Sequence, residues 1–168
     1  RPNRDLKKLM GLLAKESRPS RTDDKVFTAE TLSLFANHGD QGLNQHLAKH
    51  PNASTALQYS LIKVDEEGEV DNVTATIMHK VATADDATPE MLQKIIKIAH
   101  TSMNPYARGT ILTILHHKNT PTETLTEYYN YNVDDWNTSL AVNPHTPKWI
   151  LEEIAHDTSQ RDNSEWAK

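Results

Sequence analysis

Cysteine is absent from the 168 residues, which excludes disulfides, thiol nucleophiles, thiolate-held zinc and cysteine-ligated iron–sulfur clusters. Glycine is scarce at five residues, and no phosphate-cradling glycine loop, dinucleotide fingerprint or Gly-x-Ser-x-Gly elbow occurs. No apolar run approaches the roughly 18 residues that a membrane-spanning helix needs. The N-terminus has neither an initiator Met nor a signal-like apolar stretch. A start at Arg1 points to a piece of a longer protein, and an intracellular, cytoplasmic setting without membrane contact is expected.

Hydrophobic residues make up 36% and charged residues 24%, with a mean hydropathy of -0.69. That balance leaves enough Leu, Ile, Val and Ala for one narrow core and excludes disorder along the whole chain. The formal charge of -5 hides an asymmetry: residues 1–25 carry a net +4, residues 26–168 a net -9. The acidic body repels a phosphate backbone, whereas the N-terminal segment could contact one through Arg1, Arg4, Lys7, Lys8, Arg18 and Arg21.

Asp5 to Glu16 alternates Leu6, Leu9, Met10, Leu12 and Leu13 with lysines, the pattern of a short amphipathic helix. Residues 17–24 have linker composition, with Pro19 opposing helix. The expected organisation is a basic N-terminal helix and linker over 1–25, a repeat domain over 26–158 and a polar tail over 159–168.

From Phe27 onward the chain repeats itself. Turn segments 47–54, 81–89, 115–121 and 140–147 each close one apolar run and open another. Taking Ser54, Pro89, Pro121 and Pro147 as equivalent gives intervals of 35, 32 and 26 residues, the length of helical repeats. A threonine before proline offers an N-cap oxygen followed by a residue whose missing amide proton is not needed at the first helical position. In Thr120-Pro121-Thr122-Glu123 the glutamate would complete a capping box. Segments 28–36, 43–48, 54–64, 73–82, 89–99, 107–115, 121–130, 136–141 and 147–156 read as nine short helices after the N-terminal one. Helices this short are marginal alone and draw stability from stacked neighbours, so the expected fold is an all-α solenoid of short helix pairs. A compact, non-repetitive bundle is the competing arrangement.

The stretch Asn143-Pro144-His145-Thr146-Pro147 followed by Ile150, Leu151, Ile154 and Ala155 resembles a unit of the variant leucine-rich repeat family. Weaker echoes stand at 50–57, 86–92, 104–112 and 118–125. The resemblance implies a right-handed stack of helices with no enzymatic residues in the repeats. The intervals here are longer than those repeats and suit two full helices, as in HEAT-like repeats. The cysteine cluster of some family members is missing.

Nine histidines raise the question of a metal. His46 and His50 lie one turn apart and His116 and His117 are adjacent, yet no His-Glu-x-x-His or third ligand follows by spacing. Turn and surface positions are expected for them, and no metal or other cofactor. The acidic run Asp65-Glu66-Glu67-Gly68-Glu69, continued by Asp71, lacks EF-hand spacing; it reads as an exposed loop or a docking point for a basic partner. Asp85-Asp86 and Asp134-Asp135 read as acids at helix starts. No acid/base or nucleophile pair emerges, so no enzyme is expected.

Tyr106, Tyr128, Tyr129, Tyr131, Trp136 and Trp149 concentrate in the later part of the chain. They either fill grooves between helices or, beside Arg108 and Lys148, anchor an interface. The expected function is a noncatalytic module that binds another protein. The alternatives are nucleic-acid contact through the basic segment and a structural subunit docked through end helices at 27–35 or 150–155.

Overall fold

A computed structural model describes residues 2–18, 26–38 and 40–166. Ten α-helices and one 3₁₀ turn account for the secondary structure, with no strand among the described residues: α1 (Pro2–Glu16), α2 (Ala29–Phe35), the turn Ala36–His38, α3 (Gln41–Lys49), α4 (Thr55–Ser60), α5 (Asn72–Thr83), α6 (Pro89–Thr101), α7 (Pro105–His116), α8 (Thr122–Asn130), α9 (Asp134–Val142) and α10 (Lys148–Trp166). The nine helices expected after the first are all there. Through its described part, to Trp166, the expected polar tail continues as α10. Residues 158–166 contain neither proline nor glycine, so nothing in them stops a helix already begun.

The apolar spacing that predicts each helix also selects its buried face. In α6, Thr88 caps the start by accepting a hydrogen bond from the Met91 amide, Pro89 sits in the first turn, and Leu92, Ile95, Ile96 and Ala99 are buried. The two isoleucines and the leucine contribute about 1.5–3 kcal/mol each by burial. α5 buries Ala75, Ile77, Met78, Val81 and Ala82, and α7 buries Ala107, Ile111, Ile114 and Leu115. Packing runs along alternate helices, α1 on α3, α3 on α5, α5 on α7 and α7 on α9, while α4, α6 and α8 fit against the α5, α7 and α9 that follow them. Two apolar clusters result. Leu13, Leu32, Leu43, Leu47 and Leu57 form the N-terminal one; the larger one runs from Val70 to Leu140. The N-terminal helix thus supplies core through Leu13, while residues 19–25 of the expected linker lie outside the described residues.

Polar side chains in the turns tie one helix pair to the pair before it. His117 ends α7; its Nε2–H donates to the Ala84 carbonyl at 2.8 Å and its Nδ1 accepts from the Asn119 amide at 2.9 Å. Asn119 Nδ2 then donates to the carbonyls of Asp85 and Ala87. Asn143, ending α9 and 2% exposed, repeats the device: its Nδ2 donates to the carbonyls of Leu115 and His117, and its Oδ1 accepts from the His145 amide. At the first turn His50 Nδ1 accepts from the Asn52 amide, and Asn52 Nδ2 donates to the Phe27 carbonyl. Asn104 Nδ2 does the same for the Val70 carbonyl at the opposite turns.

Two threonines predicted as caps do something else. The hydroxyls of Thr120 and Thr146 donate to the carbonyls of Ile114 and Leu140, each six residues earlier. α8 has no side-chain cap, so the capping box through Glu123 does not form. Burial is the reason: Thr120 and Thr146 are 2% and 7% exposed, and a buried hydroxyl must donate to something, whereas Thr88 is exposed and free to cap. Asp85 and Asp86 are likewise not caps; they meet Lys118 Nζ at 3.7 Å and the Thr55 hydroxyl at 2.5 Å.

Replacing Asn143 removes the side-chain donor to the Leu115 carbonyl, one of two donors to the His117 carbonyl and the side-chain acceptor of the His145 amide, all in one turn. Asn143→Ala should lower unfolding free energy by about 2–4 kcal/mol, against about 0.5 kcal/mol or less for the exposed His145→Ala. Urea denaturation of the two variants checks the difference.

Candidate interaction surface

α8, the turn after it and α9 carry four of the six aromatic residues singled out by sequence and bring three of them, Tyr128, Tyr131 and Trp136, together. Tyr128 is buried, at 2% exposed, with its ring 5.3 Å from Tyr131 and 5.2 Å from Trp136. His100, from the end of α6, closes the group with its ring 4.7 Å from Tyr131 and 5.9 Å from Trp136. The edge-to-face arrangement puts electron-poor ring edges against electron-rich faces. The Tyr128 hydroxyl bonds with His100 Nδ1 at 3.1 Å and donates to the Ile96 carbonyl at 3.3 Å. Burial, with the charge of Glu127 adding to it, pushes that hydroxyl well above the ordinary tyrosine range. Tyr128 therefore anchors the cluster from inside, and Tyr131, 48% exposed, is its solvent-facing member. Arg108 flanks it, with Nη1 donating to the carbonyls of His100 and Ser102.

Tyr129 points the other way along α8 and meets Trp149 of α10, ring centroids 5.6 Å apart at 83°. Trp149 is 45% exposed, and Lys148 beside it pairs with Glu152 at 3.4 Å. The Tyr129 hydroxyl donates to Glu153; that hydrogen bond, with burial and the carboxylate's charge behind it, pushes Tyr129 up to about 12. Tyr106 joins neither group through a ring contact. It stands exposed near Met103, at the start of α7. His100 and Met103 were not singled out by sequence: a lone histidine at a helix end and a methionine in a turn carry no periodic signal.

Among the basic candidates, Arg4, Lys7, Lys8 and Arg18 are exposed on or just after α1; Arg1 and Arg21 lie outside the described residues. On the other side of that helix, Glu16 accepts hydrogen bonds from His50 Nε2 at 2.8 Å and from the amides of Val26 and Phe27 at 2.7 and 3.3 Å. Burial pushes the Glu16 carboxyl up, but these hydrogen bonds together outweigh it and hold the group below its ordinary value.

The acidic loop is partly structural. Asp65 Oδ1 accepts from the amides of Glu67 and Glu69, and Gly68 supplies a positive φ of 85°. Glu69 accepts from the Met103 amide and the Ser102 hydroxyl, which hold its carboxyl below the ordinary range. Asp71 caps α5. No three metal-ligating side chains come together among the described residues, and no described helix is long and apolar enough to cross a membrane. The comparisons with family models, curated proteins and solved structures returned no match, so the resemblance to variant leucine-rich repeats rests on the turn motifs alone.

Two titrations check this geometry. Glu153→Gln should bring the Tyr129 hydroxyl down from about 12 toward the ordinary tyrosine value, read as phenolate absorbance against pH. For Glu16 the folded carboxyl lies below its unfolded counterpart, so its stabilisation is complete above the ordinary carboxylate value near 4.5 and is lost as pH falls through the folded one. Hydrogen-exchange protection of the Val26 and Phe27 amides should fade over that acid range, and Glu16→Ala should lack it already at neutral pH.

Proposed function

We propose that this chain is a noncatalytic helical-repeat module that binds a protein partner. Its alternating helices form a solenoid of pairs, in the manner of HEAT-like or variant leucine-rich repeats. The register of the turn hydrogen bonds supports that architecture: His117, Asn119 and Asn104 reach back 32 to 34 residues to the preceding turn, one repeat length.

The observation that carries the binding role is the pair of half-exposed aromatic side chains set against buried or partly buried rings. Tyr131 leans on Tyr128 and Trp136, and Trp149 leans on Tyr129. Side chains already fixed in place lose little entropy when a partner covers them, and Tyr and Trp are the residues that dominate interface energetics. Tyr106 and Met103 extend the exposed apolar surface at the α6–α7 turn.

Capture on the immobilised full chain from a cell extract tests the reading. The expected result is a stoichiometric protein that survives nuclease treatment and loses at least tenfold in affinity with Tyr131→Ala or Trp149→Ala. Material that disappears with nuclease and ignores both substitutions would overturn it in favour of nucleic-acid contact through the basic helix.

A further inference from the structure

The two ends of the helix series carry opposite charge. α1 begins the succession of packed alternate helices and the α9–α10 pair ends it. On α1, helical periodicity places Arg4, Lys7, Lys8, Gly11 and Lys15 within an arc of about 100°, and all five are exposed. That face is opposite the side of Leu13, which enters the core. Among the described residues no salt bridge reaches these cations. A Cβ added at Gly11 would meet nothing within 4 Å, so another molecule can approach the helix closely at the centre of the stripe. Leu12, 46% exposed, borders it.

At the other end, α9 and α10 flank an open groove of about 330 Å³. Ala141, Val142 and Ile154 supply its apolar lining, and the exposed Asp157 adds a carboxylate. Val142 is 55% exposed. Within the chain, the corresponding seat between α5 and α6 is filled by α7. The terminal groove therefore repeats the position in which each pair receives the next helix, with the Asp157 carboxylate added.

We propose that this groove receives α1 of a second copy of the chain, head to tail. Charge selects that occupant: residues 1–25 carry a net +4 and residues 26–168 a net -9, so the chain attracts its own N-terminal helix. The same acidic body repels a polyanion laid along α1. Leu12 and Val142 supply exposed apolar surface on the two sides of the contact. A contact between two different faces leaves one basic helix and one acidic groove unused on a dimer, and these take up further copies until a ring closes or an open series extends. Association therefore continues past the dimer. The proposal rests on the helical-repeat reading but uses the end faces, so aromatic-dependent partner capture survives its failure.

Sedimentation velocity of the full chain, over a range of concentrations at low and high salt, tests it. The expected result is species larger than a dimer that grow with concentration and dissolve as salt screens the contact. A Lys7→Glu/Lys8→Glu variant and an Asp157→Lys variant should each lose the association while keeping the circular-dichroism spectrum and melting temperature of the parent. Mixed together, the intact helix of one meets the intact groove of the other and the two reversed faces again carry opposite charge, so association should return. A parent that stays monomeric at every concentration, association that ignores both variants, or a mixture that does not pair would each overturn the proposal. So would a monomeric parent that binds a labelled DNA duplex and loses that binding with Lys7→Glu/Lys8→Glu, which would make the stripe a phosphate-binding face.

Discussion

The constraint on which this fold depends is the supply of donors to carbonyls at the helix ends. A helix leaves its last carbonyls without intrahelical partners, and a chain built from many short helices multiplies that problem. Here the donors come from the next turn along, through His117 Nε2 to Ala84, Asn119 Nδ2 to Asp85 and Ala87, and Asn143 Nδ2 to Leu115 and His117. Each side chain also accepts an amide from its own turn or follows one that does, which fixes its orientation. Helices of six to thirteen residues between Ala29 and Val142 are too short to persist alone. Cross-turn bonds set their register, and apolar burial between alternate helices provides the stabilisation.

Much of this was legible in the residues. Apolar spacing located every helix because burial and periodicity coincide when helices are packed on one side, as α6 shows with Leu92, Ile95, Ile96 and Ala99. The turn motif was also visible, but its chemistry was not. Thr88-Pro89, Thr120-Pro121 and Thr146-Pro147 are alike in sequence, and only the first caps its helix. The difference is tertiary: two of the threonines are buried and donate backward, a distinction that no local pattern contains. The aromatic residues show the same limit. Tyr128, Tyr129 and Tyr131 lie within four positions, yet one is core, one pairs with Trp149 and one faces solvent, because a helix turns about 100° per residue.

That separation of roles gives the proposed surface its mechanical character. Tyr128 is fixed by two hydrogen bonds to α6, at Ile96 and His100, so the rings that lean on it inherit a defined position. Arg108, anchored to the carbonyls of His100 and Ser102, ties the α6–α7 turn to the same group. A partner meeting Tyr131 encounters a rigid projection from the core, which is the preorganisation that favours tight contact at small area.

The regularity has one interruption. Ala84 occupies the helix-end position held elsewhere by His50, His117 and Asn143, and a methyl group cannot reach back to the preceding turn. The Thr55 hydroxyl donating to Asp86 replaces that link, at an exposed site where water competes for both groups. The same seam divides the two apolar clusters, contains a cavity of about 140 Å³ lined by Leu61, Val73 and Ile77, and buries Asn44 with its Oδ1 lacking a partner among the described residues. Missing turn bond, divided core and unpaired amide oxygen coincide between α3–α4 and α5–α6. The N-terminal block, held by Leu13, Leu32 and Glu16, therefore meets the larger block through Ile77 and its neighbours and through two exposed side-chain hydrogen bonds, Gln41 to Asp71 and Thr55 to Asp86.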